Sequence, residues 1–308
     1  MLRQFPMILC FAALTLASPH DARAAACCGS GHGLGQRLSR GERAALTLAV
    51  RGADRFGSND PQGQFFPTPA GTLDGEGRAE LSGLFAPVPR LQLGVAIPFV
   101  LNVRQFGSDS AHGGGLGDVA ASARFDIVPL ATSKAWPAIA LTAGLTVPTG
   151  RSTSDARNVL AADATGLGVF EFRPGVFLEK SFSGEATAIF AGSLGLRSPS
   201  TDARGEPVQL APRLRLLAAA GPIFDNGLSL SMGLIHEREQ APSIGGVTSP
   251  NADRYRTALL AFVGYDLSPR FTLLGSCELD LPWNGASKNE PTSAAFSIGL
   301  RRSFSTEK

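Results

Sequence analysis

Three places in this chain hold residue types that could do chemistry. The stretch ACCGSGHGLG, residues 26–35, brings Cys27, Cys28 and His32 together. These are soft-metal ligand types, and Cys27 would accept a lipid if it became a mature N-terminus. Adjacent thiols do not readily chelate unaided, and Ala24 stands where a lipidation site usually carries a larger aliphatic residue. The segment therefore reads as a Gly-rich lead-in whose cysteines oxidise in an oxidising compartment. The stretch GGGLG, residues 113–117, looks like a phosphate-cradling loop, which needs a helix N-terminus after it. Its sequel alternates instead: Val119, Ala121, Ala123, Phe125 and Ile127 share one face of an extended chain, and Asp118, Ser122, Arg124 and Asp126 share the other. Third, His236 in LIHEREQ could serve as the base of a Ser-His hydrolase, but it needs a nucleophile and an orienting group beside it. No metal, cofactor or catalytic residue is expected from these three places, and the chain reads as a non-enzyme.

The elements that would position such residues are strands. With 36 Gly and 21 Pro in 308 residues, few segments sustain helical spacing without a breaker nearby. A net charge of +2 gives no reason to expect nucleic acid as a partner. Arg3, the apolar run MILCFAALTLA and the small residues near Ala24 to Ala26 read as a cleaved export signal. The chain thus divides into a signal peptide (1–26), a flexible Gly- and Cys-containing segment (27–41), a β domain (42–304) and a short tail (305–308).

Period-two alternation recurs over 43–54, 77–85, 90–104, the segment after Gly117, 138–149, 168–179, 186–197, 208–220, 228–239, 254–266, 270–281 and 293–304. That makes about twelve strands, an even number, each longer than the five or six residues typical of soluble sheets. Connections after odd-numbered strands are long and polar, such as GSNDPQGQFFPTPAGTLD, QFGSDSAHGG and RSTSDARNVLAADAT; those after even-numbered strands are mostly brief, such as APVP, SFSG and LSP. This alternation predicts an antiparallel transmembrane β-barrel in the bacterial outer membrane, with long extracellular loops and short periplasmic turns. The alternative of a secreted sandwich has no reason for it. Trp136, Tyr255, Tyr265 and Trp283 fall where interfacial aromatics belong. Pro98, Pro174 and Pro212 oppose a closed ladder, so bulges or strand ends are expected there. The last strand, AAFSIGLRRSF, resembles the assembly signal of bacterial outer-membrane barrels, which implies the barrel-assembly machinery and outer-membrane lipid as partners.

The segments GLGDV and TGLG, with VPTG between them, resemble a family of outer-membrane proteins named for the meta pathway of phenol degradation. The resemblance spans mainly residues 91–178 and rests on short glycine-dominated motifs. It implies a barrel that moves aromatic or other small apolar compounds, and it carries over no binding residue. The glycines themselves are expected to serve a sharp bend, a bulge or a positive φ where the second and third long loops close.

If the apolar positions face lipid, the lumen receives Arg51, Arg78, Glu80, Asp118, Arg124, Asp126, Glu171, Arg173, Arg213, Arg215, Arg256, Glu278, Asp280 and Arg301. Such an interior is either a polar, porin-like conduit for a small solute or a salt-bridged plug that holds the barrel's shape and leaves adhesion to the loops. A lipid hydrolase similar to the barrel phospholipase is the remaining alternative, and LIHEREQ does not resemble that enzyme's motif.

Overall fold

The computed structural model describes residues 37–39, 41–130, 136–182, 185–201 and 204–305. Cys10, Cys27, Cys28, His32 and the expected signal lie outside them. The barrel strands are β1 (Glu42–Asn59), β2 (Leu73–Val88), β3 (Leu91–Phe106), β4 (Val119–Val128), β5 (Ala138–Val147), β6 (Glu171–Phe182), β7 (Ala186–Arg197), β8 (Arg213–Pro222), β9 (Leu228–Glu239), β10 (Arg254–Ser268), β11 (Phe271–Asp280) and β12 (Pro291–Ser305). Each pairs antiparallel with its chain neighbours, and β12 pairs with β1 through Leu48 opposite Leu300 and Val50 opposite Ile298. The result is a closed 12-strand barrel, in which no sheet edge remains open.

The alternation of side chains explains why these segments close on themselves. Leu46, Leu48 and Val50 on β1, Leu93, Val95, Ile97 and Phe99 on β3, and Phe296, Ile298 and Leu300 on β12 all stand exposed on the outer face. Their chain neighbours Thr47, Gln92 and Ala295 are buried inside. An outer belt of this kind is stable only against lipid, where every backbone polar group must already be paired within the barrel. No described helix is long and apolar enough to cross a membrane. Tyr265 and Tyr255 mark the two ends of β10. Trp136, 72% exposed in a short turn, and Trp283, 62% exposed in a long loop, stand beyond the strands at opposite ends.

The prolines sit where the ladder allows them. Pro212 immediately precedes β8. Pro174 falls in a gap of the β6–β7 pairing, between Phe172–Leu196 and Gly175–Ser193. Pro98 lies where β3 changes partners, from Ala96 opposite Ala120 to Phe99 opposite Leu116.

Two expected boundaries need correction. QFGSDSAHGG is not a loop: β3 turns at Gly107 and returns as a strand, Asp109–Leu116, paired along the upper half of β3. Its sequence DSAHGGGL is mostly small or polar residues, so no hydrophobic alternation marks it. Likewise β8 begins at Arg213 and not at Val208, because Pro207–Gln209 joins Ser200–Thr201, Ser243–Ile244 and Val247–Thr248 in a small sheet built by two long loops.

Candidate functional site in the barrel lumen

The glycine motifs converge on one knot beside the break in the wall between Leu116 and Val119. The Thr149 hydroxyl donates to Gly117 O at 2.7 Å and accepts from Val119 N–H at 3.0 Å. The Asp118 carboxylate accepts from the N–H groups of Gly150, at 3.0 Å, and Leu167, at 2.6 Å. The Thr165 hydroxyl donates to Leu116 O at 2.7 Å. GLGD, VPTG and TGLG are thus three sides of one junction, and Gly117, Gly150, Gly166 and Gly168 are needed for close approach. A Cβ on Gly166 would lie 2.2 Å from Asp118 Oδ1, and one on Gly113 would lie 2.8 Å from Asp163 N. Of these motif glycines only Gly168 has a positive φ, of 74°, so of the expected bend, bulge or positive φ the last is corrected for residues 113–117, where Gly113, Gly114 and Gly117 serve clearance instead.

Above the knot, loop 148–170 folds onto the inner side of β3. Asn102 Nδ2 donates to Ala162 O at 3.0 Å and to Ala164 O at 2.7 Å, and Arg104 Nη1 donates to Leu160 O at 2.6 Å and Ala161 O at 3.0 Å. Leu160 and Ala161 adopt φ of 59° and 49°, a region L residues avoid, so this turn is held by its partners. Asp163 supports it from behind. The backbone N–H groups of Asn158 and Arg157, each at 3.0 Å, and the Arg151 guanidinium hold its carboxyl well below the usual carboxylate range.

Across the lumen, the inward residues of β6 to β12 form layers. The upper layer is a chain of ion pairs: Arg173 and Arg197 flank Glu171, Arg197 and Arg254 flank Glu239, and Arg254 reaches Glu290. The next layer centres on Glu237, which takes Arg213, Arg215 and Arg256. Arg256 in turn spends its remaining nitrogens on Glu278 at 2.8 Å and Asp280 at 3.0 Å.

Beneath these charges the inner wall is apolar. Ala140, Phe177, Ile189, Ala191, Leu217, Ala219, Ile235, Leu260 and Phe262 form one buried cluster across β5 to β10. Their parity is that of Glu171, Arg215 and Glu237, so they point inward. The expectation that apolar positions face lipid is therefore corrected for this layer. In ALLAFV and LRLLAAA both faces are apolar, and alternation cannot show which is which.

Near the short turns the lumen is polar again and carries the start of the described chain. Arg37 pairs with Glu179, the Leu38 N–H donates to Gln92 Oε1 at 2.8 Å, and Leu38 is 5% exposed. Arg301 holds Glu42, and Arg124 Nε holds Asp126 at 2.8 Å.

No protein-family model and no curated protein matches the sequence. Among solved structures, the outer membrane channel from Pseudomonas putida F1 is similar, with a TM-score of 0.69 over 90% of this chain and 100% of that one, at 16% identity. The β domain of the Bordetella autotransporter BrkA matches with a TM-score of 0.50 over 85% of this chain and 100% of that one, at 14% identity. The fold is that of an outer-membrane β-barrel.

In this barrel Arg51, Arg78, Glu80, Arg124, Asp126, Glu171, Arg173, Arg213, Arg215, Arg256, Glu278, Asp280 and Arg301 all lie on the inward side of their strands. Those from Glu171 to Asp280 meet in the ion-pair layers. Arg51 meets Glu76 and Arg78 meets Glu80 on the opposite wall. Asp118 is different: its carboxylate is consumed by backbone N–H groups of the loop. Sequence reasoning missed Arg197, Glu237, Glu239 and Arg254, although parity with Ser193, with Ser229 and with Arg256 on their own strands was available, and missed Asn102 and Arg104, whose partners are loop carbonyls. His236 stands on the outer face, its Nδ1 3.1 Å from the Thr257 hydroxyl and its ring 6.3 Å from Tyr255.

Proposed function

We propose that the chain is an outer-membrane conduit for small solutes with apolar bodies, delivered to the surface by a cleaved signal. The observation that carries this reading is the apolar layer inside the lumen. A channel for hydrophilic solutes presents a polar interior throughout. Here the charges above the apolar layer are consumed by one another, and a continuous patch of Phe, Ile and Leu lies between them and the polar short-turn end. An apolar solute gives up no hydrogen bonds to water on reaching that patch, whereas a sugar or ion gives them up with nothing to replace them. The resemblance to the phenol meta-pathway barrels supports the same class of cargo. The half-buried pairs Arg51–Glu76 and Arg78–Glu80 then line the water-exposed side of the path.

A plugged, structural barrel is the second reading, favoured by two observations: no residue of the apolar cluster is more than 9% exposed, and Arg37 and Leu38 reach Glu179 and Gln92 across the lumen. Uptake into cells with an intact outer membrane separates the two. A conduit accelerates entry of radiolabelled ethylbenzene over cells lacking the protein, and Leu217→Glu with Ile235→Glu abolishes the gain while the barrel stays heat-modifiable on gels. Equal entry with and without the wild-type protein supports the plug.

A further inference from the structure

Arg124 is placed unlike any other lumen arginine. Its side chain is 6% exposed and leans over β5 so that its guanidinium carbon sits 4.5 Å from the centre of the Phe177 ring. The intervening inward residue is Ala140, whose small side chain lets it pass. Nε is taken by Asp126 at 2.8 Å, but Nη1 is buried and has no hydrogen-bond partner. Arg78 Nε is likewise buried without a hydrogen-bond partner, whereas Arg104 Nε lies 3.3 Å from Asp74 and Arg173 Nε 3.0 Å from Glu171; what sets Arg124 apart is that its free N–H stands beside the Phe177 ring of the apolar layer. A buried charged N–H with no acceptor is costly, and the cost disappears when an acceptor arrives.

We propose that Arg124 Nη1, held on Phe177 at the edge of the apolar layer, is a specificity site that binds a neutral oxygen acceptor, a carbonyl or ether oxygen, carried by an otherwise apolar cargo. Charge decides for a neutral acceptor over a carboxylate. Asp126 already neutralises Arg124 and Arg37 already neutralises Glu179, so a second carboxylate would add an unbalanced charge in a buried setting. The cargo's apolar body then lies on Phe177 and its neighbours Ile189 and Leu217. This assignment rests on the conduit reading and deepens it.

The test compares acetophenone with its near-isostere ethylbenzene, and both with benzoate, binding to the purified full-length barrel by ligand-observed NMR. The variant is Arg124→Met with Asp126→Asn, which keeps the bulk and leaves no orphaned carboxylate. The expected result is a loss of about tenfold or more in acetophenone affinity, with ethylbenzene unchanged and benzoate weak throughout. Equal loss for acetophenone and ethylbenzene makes Arg124 a packing residue, and no loss means water satisfies Nη1; either overturns the assignment while leaving the conduit intact. Tighter wild-type binding of benzoate than of acetophenone overturns the neutral-acceptor choice. Failure of the wild type to bind any of the three overturns both this assignment and the conduit reading. If the variant does not fold, the carbonyl 13C shift of labelled acetophenone on the wild type decides: a downfield shift on binding supports hydrogen-bond donation, and its absence overturns it.

Discussion

The two halves of the inner wall use the same residue types to different ends. On β6 to β11, Arg197 is 1% exposed and holds both Glu171 and Glu239 at 2.8 Å, while Arg256 binds three carboxylates at 2.8 to 3.0 Å. On β1 and β2, Arg55 is 29% exposed and holds Asp74 at 2.8 Å but Glu76 only at 3.6 Å; Arg51 also stands 3.6 Å from Glu76. Removing charges from water is costly unless geometry and partner number compensate, so the first half is committed to one arrangement and the second stays adaptable. The first half also carries the apolar layer. In the conduit proposed above, the rigid, partly apolar wall would hold the apolar body and the hydrated wall would face it.

The largest expected effect breaks the rigid half. Arg256→Met takes the shared cation from between Glu237, Glu278 and Asp280, leaving three buried carboxylates with fewer partners, and should destabilise the barrel by about 3 to 5 kcal/mol in denaturant titrations in lipid vesicles. Arg51→Met, on the adaptable half, should change stability by less than about 1 kcal/mol. Similar losses for both would erase the distinction between the halves.

A smaller effect lies within one glycine motif. Gly113→Ala pushes a methyl to 2.8 Å from Asp163 N and should cost about 1 to 3 kcal/mol in the anchoring of loop 148–170, read by amide hydrogen exchange. Gly115→Ala meets only the Thr165 methyl, at 4.0 Å, and should leave exchange unchanged. The motif is legible as glycine-rich, yet only the fold reveals which glycine a loop rests on.

The smallest effect is in pH. Because the folded pKa of Asp163 is depressed, its contribution to loop anchoring is complete above the ordinary carboxylate pKa of about 4 and is lost only as pH falls through the lower folded value. The Arg157 and Asn158 amide shifts should therefore stay constant from neutral pH to about pH 4 and move only below it. A midpoint in the ordinary carboxylate range would show the anchor to be weak.

Most strands were legible because lipid demands an uninterrupted apolar face, which stamps period two on segments such as LQLGVAIPFVLNV. That signal is missing from DSAHGGGL, whose residues are mostly small or polar, which is why Asp109–Leu116 reads as a loop. It also saturates where Phe177, Leu217 or Phe262 add apolar residues to the inner face. The charged inward positions were readable by parity alone, but not their sorting into layers, since that depends on the stagger between strands and on loop 148–170.

The central claim is that the apolar inner layer selects cargo. The most direct measurement is paired uptake of radiolabelled ethylbenzene and a disaccharide of similar size by cells that differ only in Leu217→Glu with Ile235→Glu. The account predicts that the wild type speeds hydrocarbon entry but not sugar entry, and that the variant loses the hydrocarbon gain. Faster sugar entry through the wild type, or hydrocarbon entry indifferent to the variant, would contradict it.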